Sequence, residues 1–249
     1  MIPLAVTAGT ALSAIGAGLT GTRASLLARR SGLTPCDFAG ATFGYTGRVP
    51  GVEEHRLPES LAGYDCRNNR LTDMALRQDG FMAAVAEARD FYGPSRIAVV
   101  TGTSTSGILT SEEAYARRDM QTGTMPPDYN EELTQDLFSL PRYTAAALGL
   151  TGPLLTVSNA CASSSRAFID AWHWIVSGVC DAAVVGGSDS LCGITLRGFA
   201  SLSLVSSGPT CPCDANRNGI SVGEVAGFVL LERANARAVP PMPRLMGMG

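Results

Sequence analysis

The sequence predicts an α/β fold, a sheet covered by helices, on three observations. Short runs such as Ile97-Ala-Val-Val-Thr101, Asp181-Ala-Ala-Val-Val-Gly-Gly187 and Gly227 to Leu231 are apolar or small along their length, without alternation. That is the pattern of strands buried on both faces. Segments with helical apolar spacing lie between them, as at positions 71, 75, 82, 85 and 88, and such alternation builds a layered α/β domain. The third observation is Val157-Ser-Asn-Ala-Cys161-Ala-Ser-Ser-Ser165. It reads as strand, tight turn, thiol and helix start.

The elements follow in order. Leu4–Ala8 is a first strand, and 13–31 a helix that stops at Arg29-Arg30-Ser31-Gly32 with cations at its C-terminal end. Residues 34–66, rich in Gly, Pro and polar groups, form a long connection with one edge strand. Two helical segments flank Asp79-Gly80. The strand at 97–101 leads into Gly102-Thr-Ser-Thr-Ser-Gly-Ile108, a loop of small residues and hydroxyls, and then into a helix over 112–118. A polar excursion at 120–132 precedes helical residues 133–149, split at Pro141. The strand 153–158 comes before the thiol, the helix 164–178 after it, with Gly178 as its stop. A strand at 181–187, a short helix or loop at 195–204 and a last apolar strand at 227–231 follow. Beyond Pro-rich residues 239–243, Arg244-Leu-Met-Gly-Met-Gly249 reads as another strand beginning. The whole, 1–249, is one domain with excursions at about 34–66 and 120–132.

Composition narrows the function. The net charge of −3 gives no reason to expect nucleic acid or an anionic membrane as partner. All the basic residues are Arg, so no lysine can act as base, Schiff-base former or phosphate clamp. The seven cysteines, at 36, 66, 161, 180, 192, 211 and 213, include no C-x-x-C pair. This argues against a zinc site or a disulfide framework and for a reducing, cytoplasmic setting. No segment is a membrane span, and the apolar stretch 1–19 lacks the basic start of a signal peptide. The glycine-rich stretches match neither phosphate-binding fingerprint. They suit close strand–helix approach near the thiol instead, and no cofactor or metal is expected.

Cys161 is the candidate nucleophile. A helix start offers unpaired N–H groups and a dipole that favours thiolate, and the small neighbours leave room for a carbonyl. Neither histidine is its evident base. His173 lies twelve residues further along the helix, about 18 Å of rise, between two tryptophans. His55 sits in the polar loop and reads as solvated. A Cys/His hydrolase is therefore disfavoured. Asp214-Ala-Asn-Arg217-Asn-Gly219, followed by Gly223-Glu224, reads as a loop pinned by side-chain-to-backbone hydrogen bonds.

Taken together, Val157 to Ser165, Asp181 to Ser190, Asp214 to Gly219 and Gly223 to Arg233 resemble, in order and spacing, the N-terminal half of the β-ketoacyl-acyl carrier protein synthases. The subgroup resembled is the elongating type I/II kind, in particular the ketosynthases of aryl-polyene clusters. Leu61 to Asn69, Gly102 to Ile108 and Asp136 to Leu140 support the likeness. It implies the N-terminal half of a thiolase-like fold, a mixed five-stranded sheet covered by helices, with the C-terminal half absent. It implies a dimer, with itself or with another ketosynthase-type chain, formed through the strand before the cysteine helix. The reaction implied is fatty acid or polyketide elongation by decarboxylative Claisen condensation. Acyl carrier protein, in acyl and malonyl forms, is the partner. Cys161 is then the acylated nucleophile, with its backbone N–H as oxyanion donor, Ile108 borders the acyl pocket, and Phe138 lies near the dimer contact and the partner's pocket.

The chain also departs from the family pattern. Cys211-Pro-Cys213-Asp214 stands where Arg-Pro-Phe-Asp is usual, Asn218 where Asp is common and Asn159 where Thr is common. The family's two catalytic histidines, lysine and Gly-Phe-Gly loop belong to the other half. Four readings stay open: a ketosynthase portion completed elsewhere, a non-catalytic chain-length-factor-like partner, a thiol acting alone, and an inactive fragment. A half built to pack on a second half is expected to leave a large apolar patch and to associate.

Overall fold

The structure, a computed structural model, describes residues 2–237 and 243–247. The first strand, β1 (Leu4–Ser13), runs past the expected Ala8. Strand β2 (Gly16–Ala17) folds back on it, and helix α1 occupies only Gly18–Leu27 of the expected 13–31. In the long connection lie two short strands rather than one, β3 (Leu33–Pro35) and β4 (Tyr45–Gly47), then a 3-10 helix at Glu59–Tyr64. Helices α2 (Arg67–Leu76) and α3 (Phe81–Tyr92) flank Asp79-Gly80, both at positive φ, as their spacing predicts.

Strand β5 (Ile97–Gly102) feeds α4, which spans Ile108–Arg117 and so begins earlier than expected. The polar excursion ends in a π-helical turn, Glu131–Gln135. Helix α5 (Ser139–Leu148) passes through Pro141 instead of breaking there. The proline sits in the first helical turn, where a missing N–H forfeits no helical bond. Then follow β6 (Leu154–Val157), α6 (Ser163–Val176), β7 (Ala182–Asp189), α7 (Gly193–Ser201), β8 (Val222–Gly223), β9 (Val225–Arg233) and β10 (Arg244–Leu245). Gly178, at φ 82°, stops the chain after α6. Most of the Pro-rich stretch 239–243 lies outside the described residues.

The main sheet has the order β10-β1-β9-β7-β5-β6, with β2 on β1. Strand β5 is parallel to β6 and β7, whereas β9 is antiparallel to β7 and β1. The expected mixed sheet is thus β1, β9, β7, β5 and β6, and β2 and β10 are two-residue additions. The first strand is long because its ladder with β9 continues to Ser13↔Val225. That pairing overrides the helical reading of residue 13. Strands β3, β4 and β8 form a separate small sheet.

Period-two geometry divides the sheet residues between two cores. Ile97 and Val99 of β5, Ala182 and Val184 of β7, and Phe228 and Leu230 of β9 pack under α2, α3 and α5. Ala98, Val100, Ala183, Val185 and Leu231 face the other way, onto Ala167, Ala171 and Ile175 of α6. Among the described residues, α2, α3 and α5 cover one face and α6 the other. Beside α6, Val6, Leu155, Val157, Val229 and Leu245 remain only partly buried. Glycine is required where α6 meets the sheet: a Cβ on Gly102 would collide with the Ser164 backbone nitrogen, and one on Gly187 with the Ser164 hydroxyl.

Candidate active site

Cys161 occupies the turn between β6 and α6 and is exposed. The preceding residue, Ala160, has φ 46°, the left-handed region that a non-glycine residue enters at a cost. Three bonds hold its carbonyl there. The Ser163 hydroxyl donates to it at 2.6 Å, the Ser104 hydroxyl at 3.0 Å and the Ser163 amide at 3.2 Å. The Ser163 hydroxyl also accepts from Asn159 N–H at 2.8 Å. The small residues of the motif close a rigid turn with the thiol at its outer edge.

This turn corrects one expectation. The Ala162 amide donates to the Asn159 carbonyl at 3.0 Å, as the Ser163 amide does to Ala160. Those two amides at the start of α6 are spent on the turn and are not free around the sulfur. Ala162 is the N-cap, with no side-chain cap bond, so Cys161 stands just outside the helix.

The hydroxyl loop after β5 lies against this turn and is fixed by Asp189 at the end of β7. Asp189 Oδ1 accepts from Thr103 Oγ1 at 3.0 Å, Ser104 N–H at 2.8 Å, Thr105 N–H at 2.9 Å and Thr105 Oγ1 at 2.8 Å. Ser190 N–H donates to Thr105 Oγ1 at 3.1 Å, closing the loop onto β7. On the far side, the Ser106 hydroxyl donates to the Asp136 carbonyl at 2.9 Å, and Asp136 Oδ1 accepts from Phe138 N–H at 2.9 Å.

One loop therefore links the segments that carry all three predicted site residues. Ser104 touches the Cys161 turn, Ser106 touches the turn that ends in Phe138, and Ile108 opens α4 directly after it. Ile108 and Phe138 are both half-buried, and the Arg142 guanidinium lies over the Phe138 ring at 5.2 Å. Sequence reading noticed the run of hydroxyls but not the roles of Ser104, Ser163 and Asp189. Asp189 lies in the Gly-Gly-Ser-Asp-Ser stretch, which is the sequence signal available for it.

The histidines fall out differently. His173 is exposed, edge-on against Trp172 with ring centres 5.1 Å apart, as its position predicts. His55 is not solvated. It is half-buried, with Nε2 2.7 Å from Asp73 Oδ2. Asp73 also accepts from Tyr143 OH at 2.6 Å and Arg77 Nε at 2.6 Å. Burial opposes its charge, but the bonds from Arg77, Tyr143 and His55 prevail and hold its pKa below the usual carboxylate range. Asp214 pins its loop as expected: Oδ1 accepts from Asn216 N–H at 2.7 Å, and its carbonyl accepts from Arg217 Nη1 at 2.9 Å.

A cleft of about 720 Å³ lies elsewhere, lined by Arg48, Arg67, Arg70, Arg197 and several carboxylates. Its cations are already engaged, Arg48 with Glu53, Arg67 with Glu224 and Glu53, Arg70 with Asp65 and Arg197 with the Ala39 carbonyl. A second hollow of about 450 Å³ adjoins the Cys161 turn, between Asn159, Ala162, Arg166 and Phe168 on one side and Leu245 on the other. Among the described residues no cluster of three or more His, Cys, Asp or Glu side chains is disposed to hold a metal. No helix there is long and apolar enough to cross a membrane.

Comparison with known proteins agrees with this architecture. The family profile described as "Beta-ketoacyl synthase, N-terminal domain" matches residues 3–237. A 3-oxoacyl-[acyl-carrier-protein] synthase 2 of Mycobacterium bovis is 30% identical, over 98% of this chain and 62% of its own length. Nodulation protein E of Rhizobium meliloti is 30% identical over 62% of this chain and 39% of its own length. Among solved structures, the ketosynthase ApeO, in complex with its chain length factor ApeC, from Xenorhabdus doucetiae superposes with a TM-score of 0.82 at 31% identity. That match covers 93% of this chain and 58% of the other. The ishigamide ketosynthase/chain length factor, at 22% identity and a TM-score of 0.79, shares the fold over 94% of this chain and 59% of its own. The chain spans less than two thirds of each of these proteins.

Proposed function

Since the chain belongs to the β-ketoacyl synthase family as its N-terminal domain, we propose that it is the acyl-accepting portion of a 3-oxoacyl-acyl carrier protein synthase. The observation that carries this reading is the exposed Cys161, held at the apex of a strand–helix turn that Ser104 and Ser163 brace. The sulfur attacks the carbonyl of an acyl-carrier thioester. The S–C bond to the carrier breaks, the carrier thiol leaves with the proton, and the acyl group stays on Cys161. In this reading the Cys161 N–H serves as one oxyanion donor. Ile108 borders the acyl chain, and Phe138 lies near the dimer contact and the pocket of the paired chain.

The second half of the reaction is loss of carbon dioxide from malonyl-carrier protein and attack of the resulting carbanion on the Cys161 thioester. That step needs groups other than this chain's histidines. His55 is engaged with Asp73, and His173 lies near the far end of α6. Strand β6 supports pairing with a second ketosynthase-type chain, because among the described residues it is hydrogen-bonded in the main sheet on one side only, to β5. An open edge next to the nucleophile turn suits strand-to-strand assembly. Seven free thiols fit a cytoplasmic setting.

The test is incubation with an acyl-carrier thioester, alone and with a partner ketosynthase chain, followed by peptide mass spectrometry. An acyl adduct on Cys161 that disappears in Cys161→Ala is expected. Absence of the adduct under both conditions would overturn the reading in favour of a non-catalytic, chain-length-factor-like subunit. Release of carbon dioxide from malonyl-carrier protein by the chain alone would show that the decarboxylating groups are already present.

A further inference from the structure

The geometry points to Asp189 and Ser104 as a two-step positioning relay for Cys161: Asp189 fixes the Thr103–Gly107 loop, and Ser104 of that loop locks the left-handed Ala160 that presents the thiol. This rests on the reading of Cys161 as the nucleophile. Neither residue needs to touch the substrate.

The structural argument has three parts. First, Ala160 at φ 46° is strained, and such a conformation persists only when the surroundings over-determine it. Two of the three donors to its carbonyl come from Ser163, inside the same turn, and move with it. Among the described residues Ser104 is the one donor from outside, 56 positions away in the chain. Within that set it alone ties the turn to the rest of the sheet through this carbonyl.

Second, Ser104 is itself held rather than free. Its own N–H and that of Thr105 both end on Asp189 Oδ1, at 2.8 and 2.9 Å, together with the hydroxyls of Thr103 and Thr105. The Thr103 hydroxyl in turn accepts from Ser106 N–H at 3.0 Å. A loop with this many bonds to one carboxylate oxygen has few alternative arrangements, so the Ser104 hydroxyl arrives at Ala160 already oriented. Third, the same loop restrains the segment before Phe138 through Ser106 and Asp136. Asp189 thereby sets the spacing between the nucleophile turn and the segment that carries Phe138.

The test compares Ser104→Ala, Ser104→Thr, Asp189→Ala and the double Ala variant. Cys161 alkylation by iodoacetamide is measured by peptide mass spectrometry as a ratio to Cys211 and Cys213, which are exposed on a different loop and report general unfolding. Acylation from a short-chain acyl thioester is measured in parallel. Ser104→Ala is expected to lower the Cys161 ratio and the acylation rate by about fivefold, the factor carried by one hydrogen bond of ordinary net strength. Ser104→Thr, which keeps the hydroxyl, is expected to restore both. Asp189→Ala is expected to lower them at least as far, and the double variant no further than Asp189→Ala alone, since coupled residues do not add.

An unchanged ratio in Ser104→Ala, or failure of Ser104→Thr to restore it, overturns the relay. If the parent chain takes no acyl group while the alkylation ratio still falls and recovers as described, the acyl-transfer reading fails and the relay stands. Ser104→Ala decides the question even if Asp189→Ala does not fold.

Discussion

Arg67 and Glu224 meet in a buried two-point ion pair, with Nη2–Oε1 at 2.7 Å and Nε–Oε2 at 2.9 Å. The carboxylate accepts two backbone amides as well, Val49 N–H at 2.8 Å and Leu191 N–H at 3.1 Å. One side chain thus ties α2, the connection after β4, the segment before α7 and the start of β9. Removing one partner from a buried pair leaves an uncompensated charge, which costs about 3–5 kcal/mol. Glu224→Gln is expected to fall at the lower end of that range, because Glu53 still faces Arg67 at 2.6 Å. Urea unfolding of parent and variant at pH 7 checks it; a loss below about 1 kcal/mol, the worth of a surface pair, would count against a buried linchpin.

Acid sensitivity follows from the carboxylates. Burial opposes the charge of Glu53, but hydrogen bonds from Arg48 and Arg67 outweigh it and hold its pKa down at about 2. Asp73 is depressed likewise by Arg77, Tyr143 and His55. A carboxylate whose folded pKa is lowered contributes stability that is full above its unfolded pKa and is lost as pH falls through the folded value. Stability is therefore expected to be level from pH 7 to about 5 and to decline from about 4.5 toward 2. Asp73→Asn should lower stability at pH 7 and flatten that decline. Urea midpoints at stepped pH show this directly, and an equal slope in parent and variant would exclude Asp73 as a contributor.

Thiol accessibility separates the cysteines cleanly. Cys161, Cys211 and Cys213 are exposed, whereas Cys36, Cys66, Cys180 and Cys192 are buried. Burial pushes the thiols of Cys66 and Cys180 up to about 11, so they are protonated as well as shielded at neutral pH. Titration with a chromogenic disulfide is expected to find the exposed three promptly and the rest only in denaturant. Prompt reaction of Cys66 or Cys180 would mean that the packing around these thiols opens on the timescale of the assay.

What was legible in the sequence was local. The strand–turn–thiol–helix junction, the Asp79-Gly80 break and the glycines under α6 each follow from a few neighbouring residues, and each stands where it was read. The features missed depend on distant pairing. Arg67 and Glu224 are 157 positions apart, and Thr103 and Asp189 are 86 apart. No period or local motif connects such residues. The length of β1 was missed for the same reason, since its last residues are strand only because β9 lies beside them. Ile108 and Phe138 came from family resemblance alone, and here the structure adds a shared loop that reaches the segments of both.

The two unequal faces of the sheet lead to the last prediction. With α2, α3 and α5 on one face and α6 alone on the other, Phe168, Trp172 and Trp174 together with Val6, Leu155, Val157, Val229 and Leu245 retain apolar surface. Exposed apolar area that is contiguous drives association, and a stable interface buries about 1,600 Å² in total. The chain alone is therefore expected to bind a hydrophobic dye and to sediment as an oligomer. Val6→Thr with Val229→Thr keeps side-chain shape but adds hydroxyls to this face, so dye binding should fall. These positions are partly open, so the cost in thermal midpoint should be smaller than for a fully buried Val→Thr such as Val185→Thr. A parent chain that sediments as a monomer and binds no dye would show that α6 covers its face adequately by itself. In that case the open edge of β6 would be the remaining route to assembly.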